Sequence, residues 1–265
     1  MGRRTILNLA GALVLCMAAA AVTSAQDFQR SYNLEAGGTV EIANVSGDIN
    51  LTGYDGSAVV VNAFKQGRDA NLVEVEDLST QGRVHLRAKY PDTCNCDAGI
   101  RFEVRVPRSA NLNFDKITTA SGNLKAEGFA GRLHLSTASG DVTVSRVGGE
   151  IKATSASGNV RVADATGQVN ANSASGDVEV ELTRLDGAGD MKFSSASGDV
   201  HVRLPSNIDA NVSLSTVSGD IETNFPIEVK RNRHGSGSRA QGQLGSGART
   251  LKITSASGNV SLKSM

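Results

Sequence analysis

The chain of 265 residues has no tryptophan, 3 tyrosines, 7 phenylalanines, 4 prolines, 3 cysteines and a formal net charge of zero. Each shortage excludes something. So few aromatic rings leave no stacking platform for bases or sugar rings. A chain without a basic surplus lacks the footprint that phosphate backbones require, so nucleic acid is excluded as a partner. Long apolar runs are confined to one place, from Ile6 to Val22, behind Arg3 and Arg4 and ahead of the small residues Thr23-Ser24-Ala25. That order is the pattern of a secretory signal peptide over residues 1–25. Cys16 follows Leu15, where a lipid-modified cysteine usually needs a small residue before it. Beyond the leader nothing approaches ~20 apolar residues, so no transmembrane segment is expected in the mature chain. Cleavage removes Arg3 and Arg4 and no acid, which leaves 25 basic and 27 acidic side chains. The expected destination is the periplasm or the extracellular space.

Glycine is what the chain has in quantity, with 29 residues. Eight of them, at positions 47, 122, 140, 158, 176, 198, 219 and 258, sit in a recurring Ser-Gly-Asp or Ser-Gly-Asn phrase preceded by Ala or Val. From Gly122 the spacings are 18, 18, 18, 22, 21 and 39 residues. A fixed period of this length means one supersecondary unit that stacks on its own copies. In residues 132–149, Leu133 and Leu135 alternate with polar residues, the turn follows, and Val142 and Val144 alternate again before Gly148-Gly149. Each unit is therefore two short strands and two corners. The same positions hold Ile151, Val160 and Val162, then Val169, Val178 and Val180, then Met191, Phe193, Val200 and Val202, then Val212, Leu214 and Ile221, and lastly Leu251, Ile253, Val260 and Leu262. The expected fold is all-β, a single-stranded, right-handed β-helix (a β-solenoid) with rungs of ~18 residues and one dry interior ladder.

Residues 26–265 are expected to form one domain, with 111–265 as regular repeats and 26–110 as irregular N-terminal rungs and cap. Residues 38–56 already read as a rung. Strand-like runs follow at 58–63, 72–75, 84–88 and 101–106, with a loop at 91–97. The Gly/Ser/Arg-rich stretch 231–248 reads as a flexible insertion.

Counting from each glycine sorts the outward residues into columns. Six positions before it stand Lys116, His134, Lys152, Asn170, Lys192, Ser213 and Lys252; four before it stand Thr118, Ser136, Thr154, Asn172, Ser194, Ser215 and Thr254. A basic column beside a hydroxyl column can hold an anionic glycan through charge and hydrogen bonds, and the candidate contacts are Lys116, His134, Lys152, Lys192, Lys252, Ser136, Thr154 and Ser194. Immediately after the glycines, Asp177, Asp199 and Asp220 form an uninterrupted acidic run in chain order, a candidate cation ladder set against solvated side chains that cap their own turns. Three positions after the glycines, His201 falls between Glu179 and Glu222 in neighbouring rungs. A polysaccharide-acting β-helix enzyme would use such carboxylates, but no nucleophile elbow or aromatic subsite accompanies them. Cys94 and Cys96, in an exported chain, are expected to form a disulfide with each other or with a second chain; as a metal site they lack a second cysteine or histidine pair.

The repeated turn, the step Val104-Arg105-Val106-Pro107, and the closing series Ile227-Glu228-Val229, Gly242-Gln243-Leu244-Gly245, Leu251-Lys252-Ile253-Thr254 and Ser257-Gly258-Asn259-Val260 resemble the bacterial putative-adhesin domain of unknown function. The resemblance spans residues 38–265. It implies an exported or membrane-tethered β-solenoid and supplies no catalytic residue. The function expected is an exported non-enzymatic scaffold that binds an anionic cell-envelope glycan or another envelope protein and needs no cofactor. The alternative class is the β-helix hydrolase or lyase.

Overall fold

A computed structural model describes residues 27–186, 189–231 and 237–265. The expected signal peptide, Cys16 and His234 lie outside the described residues.

Almost every regular element is a strand. Alternation of β-branched and polar residues, with Pro205 and Pro226 of the repeat region both outside its strands, makes each strand half-buried and extended. The strands form a 12-stranded and an 11-stranded sheet face to face, and each rung gives one strand to each. In the central rung, Ile151–Ser157 lies in the first sheet and Val160–Ala163 in the second. Its parallel neighbours are one repeat away: Leu133 pairs with Ile151 and Ile151 with Val169, while Val142 pairs with Val160 and Val160 with Val178. Inward side chains stack into a dry core, and Leu135, Val144, Ile151, Val160, Val169, Val178 and Phe193 have no exposed surface. A further interior column at the second corner, Phe129, Val147 and Ala165, is also buried.

The rungs do not stack in chain order. The segment nearest the C-terminus, Thr250–Ser257 with Val260–Ser264, lies between the Met191–Ser197/Val200–Leu204 rung and the Ala210–Ser218/Ile221–Thr223 rung. Likewise Thr39–Ala43 with Ile49–Tyr54 lies between Arg83–Lys89/Gly99–Pro107 and Leu112–Ser121/Leu124–Glu127. Both penultimate places in the stack are thus filled by segments from the two ends of the chain.

The stack is closed by antiparallel strands. At one end Phe28–Tyr32 pairs with Val59–Gln66, which covers Gly99–Pro107, while Glu74–Asp77 covers Arg83–Lys89. At the other end Ser238–Leu244 covers Ala210–Ser218 and carries the short strand Val229–Arg231 on its outer edge. Within 231–248, read as a flexible insertion, this corrects the part Ser238–Leu244; residues 232–236 lie outside the described residues. The glycines and serines of the stretch look like a linker, but Ser238, Ala240 and Leu244 turn inward and are buried, and the backbone pairs with a strand that would otherwise be an open edge. The expected strand at 72–75 is also displaced: Ala70–Leu72 is a 3-10 turn and the strand runs Glu74–Asp77.

Candidate functional site

The corner after the first strand of each rung fixes the position of every outward column. Asn44, Thr119, Thr137, Ser155, Ser173, Ser195, Ser255 and Thr216, three residues before the glycines, point inward and are buried. From Thr119 on, each hydroxyl donates to the glycine carbonyl of the preceding rung, as Ser155 does to Gly140 and Ser255 to Gly198, at 2.8 and 2.9 Å. Asn44 serves both the carbonyl of its own Gly47 and that of Ile100. Sequence reading missed this column, although an invariable hydroxyl or amide on an otherwise apolar inward face was its signal.

The Asp/Asn column forms a second ladder. Each side-chain Oδ1 accepts the backbone N–H of the next Asp or Asn in the stack: Asp141 from Asn159, Asn159 from Asp177, Asp177 from Asp199, Asp199 from Asn259 and Asn259 from Asp220, all within 3.0 Å. Because Asn259 intervenes, Asp199 and Asp220 are not neighbours. The chain-order run Asp177, Asp199, Asp220 therefore contains only one adjacent acidic pair; the carboxylates of Asp177 and Asp199 already accept backbone N–H groups, and that of Asp220 pairs with Arg231. Among the described residues no group of three or more His, Cys, Asp or Glu side chains is placed to hold a metal ion.

Stack order also redraws the catalytic alternative. His201 pairs with Glu179 on one side and Ser261 on the other, and Glu222 lies one rung further, opposite Ser261. His201 is thus not held between two carboxylates. Glu179 is instead engaged by Arg161 at 2.8 Å.

Both sheets carry ion pairs on their outer faces; on the 12-stranded sheet they include Arg83–Glu41, Arg87–Glu76 and Arg132–Glu150. On the 11-stranded sheet, ion pairs run from rung to rung or along a strand: Arg161–Glu179, Arg203–Glu181, Lys263–Glu222 and Lys125–Glu127. On the 12-stranded sheet the order across rungs is Lys116, His134, Lys152, Asn170, Lys192, Lys252 and Ser213, with a bulge beside His134. All four lysines are exposed, and among the described residues none makes an ion pair. Burial lowers the pKa of His134, Lys152 lowers it further, and Asp115 and Glu150 oppose them without prevailing.

Beside this cationic column runs the hydroxyl column Thr118, Ser136, Thr154, Asn172, Ser194, Thr254 and Ser215. Its first four members and the methyl groups of Ala120, Ala138, Ala156 and Ala174 line an open trough of about 700 Å³ along the stack axis. The arrangement offers repeated cations and hydroxyls at the ~4.8 Å strand spacing. It can hold an extended anionic polymer laid across the rungs. In a separate loop, Cys94 and Cys96 are joined as a disulfide, with Cα atoms 5.1 Å apart.

The model of one protein family, described as Toastrack DUF4097, matches residues 33–263. No curated protein matches the chain. Solved structures with similarity include a protein from Clostridium sporogenes described as a putative cell adhesion protein, 13% identical over 90% of this chain and 99% of that one, with a TM-score of 0.42. Another, from Bacteroides fragilis, is described as a putative adhesin and is 17% identical over 90% and 96%, with a TM-score of 0.49. A third, from Parabacteroides distasonis, is also described as a putative adhesin, at 12% identity over 88% and 96% and a TM-score of 0.44.

Proposed function

The chain belongs to the Toastrack DUF4097 family, and from that premise we propose that it is an exported, non-enzymatic, adhesin-like scaffold that binds an anionic cell-envelope glycan. The observation that carries this reading is the column of four exposed lysines on the 12-stranded sheet, none of them in an ion pair among the described residues. Lysines held outside ion pairs cost the free protein mutual repulsion, whereas Arg161, Arg203 and Lys263 on the opposite face are each paired with an acid. A cationic column beside hydroxyls and a trough is complementary to a polymer that carries anions and oxygen acceptors at intervals. The contact residues on this reading are Lys116, Lys152, Lys192 and Lys252, with Ser136, Thr154 and Ser194 alongside and His134 joining them when protonated. The signal-peptide pattern at residues 1–25 supports a periplasmic or extracellular location. No helix among the described residues is long and apolar enough to cross a membrane. The separation of Glu179 from Glu222 by two intervening rungs weighs against the hydrolase reading.

The test is surface-immobilised binding of the mature protein to a soluble polyuronate and to a neutral glucan of the same length. Substitution of Lys116, Lys152, Lys192 and Lys252 together by Gln is expected to weaken polyuronate binding at least ~10-fold, and raised salt should weaken the wild type similarly. Replacing Arg161, Arg203 and Lys263 on the other face should change little. Equal binding of the neutral glucan, or binding retained by the fourfold variant, would overturn the reading.

A further inference from the structure

Stack order places Lys192 directly opposite Lys252, in parallel register on adjacent strands. Chain order conceals the pair, because the Ala210–Ser218 rung intervenes in the sequence and the C-terminal rung takes its place in the fold. Elsewhere in the cationic column the charges are diluted. Asn170 separates Lys152 from Lys192, and the half-buried His134 separates Lys116 from Lys152. Among the described residues of that column, only here do two permanent cations meet, at the ~4.8 Å spacing of neighbouring strands. Both are exposed, and neither makes an ion pair among the described residues. Lys230 and Arg239 also stand opposite each other at the outer edge of this sheet, but Lys230 has an ion-pair partner in Glu228. Like charges directly opposite each other on a sheet are unfavourable in the unliganded state, so at the Lys192–Lys252 pair an anion relieves a repulsion as well as gaining an attraction.

We propose that the Lys192–Lys252 pair is the anchoring site of the face and that the group it takes is a phosphoryl ester carried by the envelope glycan. This rests on the anionic-glycan reading above. Two ammonium groups are point charges with three donors each and lack the planar fork with which arginine matches a carboxylate. A tetrahedral phosphoryl group presents oxygens in several directions and, as a monoester, carries close to two negative charges at neutral pH. It therefore satisfies both lysines together, whereas a carboxylate neutralises one and leaves the other. Hydroxyls stand beside the pair: Ser194 and Thr254 lie two residues further along the same two strands, and Ser213 follows Lys252 across the sheet. They supply hydrogen-bonding groups for the ester and the sugar next to it. Ser194 donates its own proton to Asn172 Oδ1 at 2.7 Å, so its oxygen is left to accept.

The experiment measures binding of the mature protein to three probes: a phosphomonoester-bearing polysaccharide, a polyuronate of matched length and charge density, and vesicles containing an anionic phospholipid. Single variants Lys192→Gln, Lys252→Gln and Lys116→Gln are compared, together with their melting temperatures without ligand. The expected result is tighter binding of the phosphorylated polymer than of the polyuronate. Lys192→Gln or Lys252→Gln should each lose ~10-fold or more on that polymer, against about 2-fold for Lys116→Gln. The melting temperature of the Lys192 and Lys252 variants should stay level or rise, which a merely structural role would not produce. Equal losses for all three variants, polyuronate bound as tightly as the phosphorylated polymer, or stronger binding to the lipid vesicles would each overturn the anchoring site. Binding confined to polyuronate and abolished in the fourfold lysine variant would leave the broader glycan reading standing. Failure of the wild type to bind either polymer would sink both.

Discussion

At Asp177 a single side chain separates two explanations of the acidic column. Its Oδ1 accepts the Asp199 backbone N–H at 2.8 Å, and its own backbone N–H donates to Asn159 Oδ1 at 2.8 Å. An amide oxygen serves as acceptor as well as a carboxylate does, which explains why Asp and Asn interchange down the ladder. Asp177→Asn is therefore expected to leave thermal stability unchanged or slightly raised, since it keeps the acceptor and removes repulsion with Asp199. Asp177→Ala should cost about 1 kcal/mol, the usual worth of one such bond, read by denaturant unfolding. A stabilising effect of calcium that Asp177→Asn abolishes would show instead that the column is a cation ladder. The neighbouring glycines are fixed by close approach: at Gly140, with φ +141°, an added Cβ would sit 2.2 Å from the Gly122 carbonyl oxygen. The corner phrase is thus accounted for by backbone packing and the two hydrogen-bond ladders.

Among the elements, the N-terminal edge strand has the most sharply defined fastening. Phe28–Tyr32 is mostly exposed and pairs on one side only. Tyr32 donates its hydroxyl to Asp77 at 2.7 Å and Arg30 makes an ion pair with the same carboxylate, so an edge of one sheet is tied to an edge of the other. Burial raises the Tyr32 pKa and Asp77 adds to that rise. Burial also tends to raise the Asp77 pKa, but hydrogen bonds from Ser79, Tyr32 and Arg30 outweigh it and hold the carboxyl below its ordinary value. A carboxylate held down in this way stabilises the fold above about pH 4 and loses that contribution as pH falls through its depressed value. Asp77→Asn is expected to cost about 2 kcal/mol at pH 7. Its deficit against the wild type should shrink as unfolding is measured at successively lower pH below about 4. A deficit that stays constant across that range would show that the ionised carboxylate is not what fastens the strand.

On the scale of the whole molecule, the sequence reveals the rung and conceals the stack. Leu133, Leu135, Val142 and Val144 recur with their partners at the glycine period and land in the core, apart from Ile221 on the edge strand, which is only partly buried, because the period of an interior ladder is carried by the residues that build it. The order of rungs is not carried that way. Every corner bears the same phrase, so the rung ending at Ser218 and the rung ending at Ser257 are equivalent neighbours for Ser197 as far as local chemistry goes. The choice is made by the caps: Ser238–Leu244 turns back to cover Ala210–Ser218, which leaves the C-terminal segment to enter between that rung and the one before it. The candidate face was legible as two columns, but its Lys192–Lys252 pair was not, and neither was the broken acidic run, since both depend on stack order.

The central claim, that the fold inserts its C-terminal rung and thereby sets which side chains share a face, is tested most directly by pairwise disulfide trapping. Ser197, Ser257 and Ser218 are exposed, with Ser257 in register with each of the other two. Neighbouring strands bring Cα atoms within the 4.4–6.8 Å range that a disulfide spans, whereas two rungs lie ~10 Å apart. Under mild oxidation, Ser197→Cys with Ser257→Cys is expected to cross-link within one chain, as is Ser218→Cys with Ser257→Cys, while Ser197→Cys with Ser218→Cys should not. Efficient cross-linking of 197 with 218 and none of 197 with 257 would contradict the inserted rung, and with it the lysine pair that it brings together.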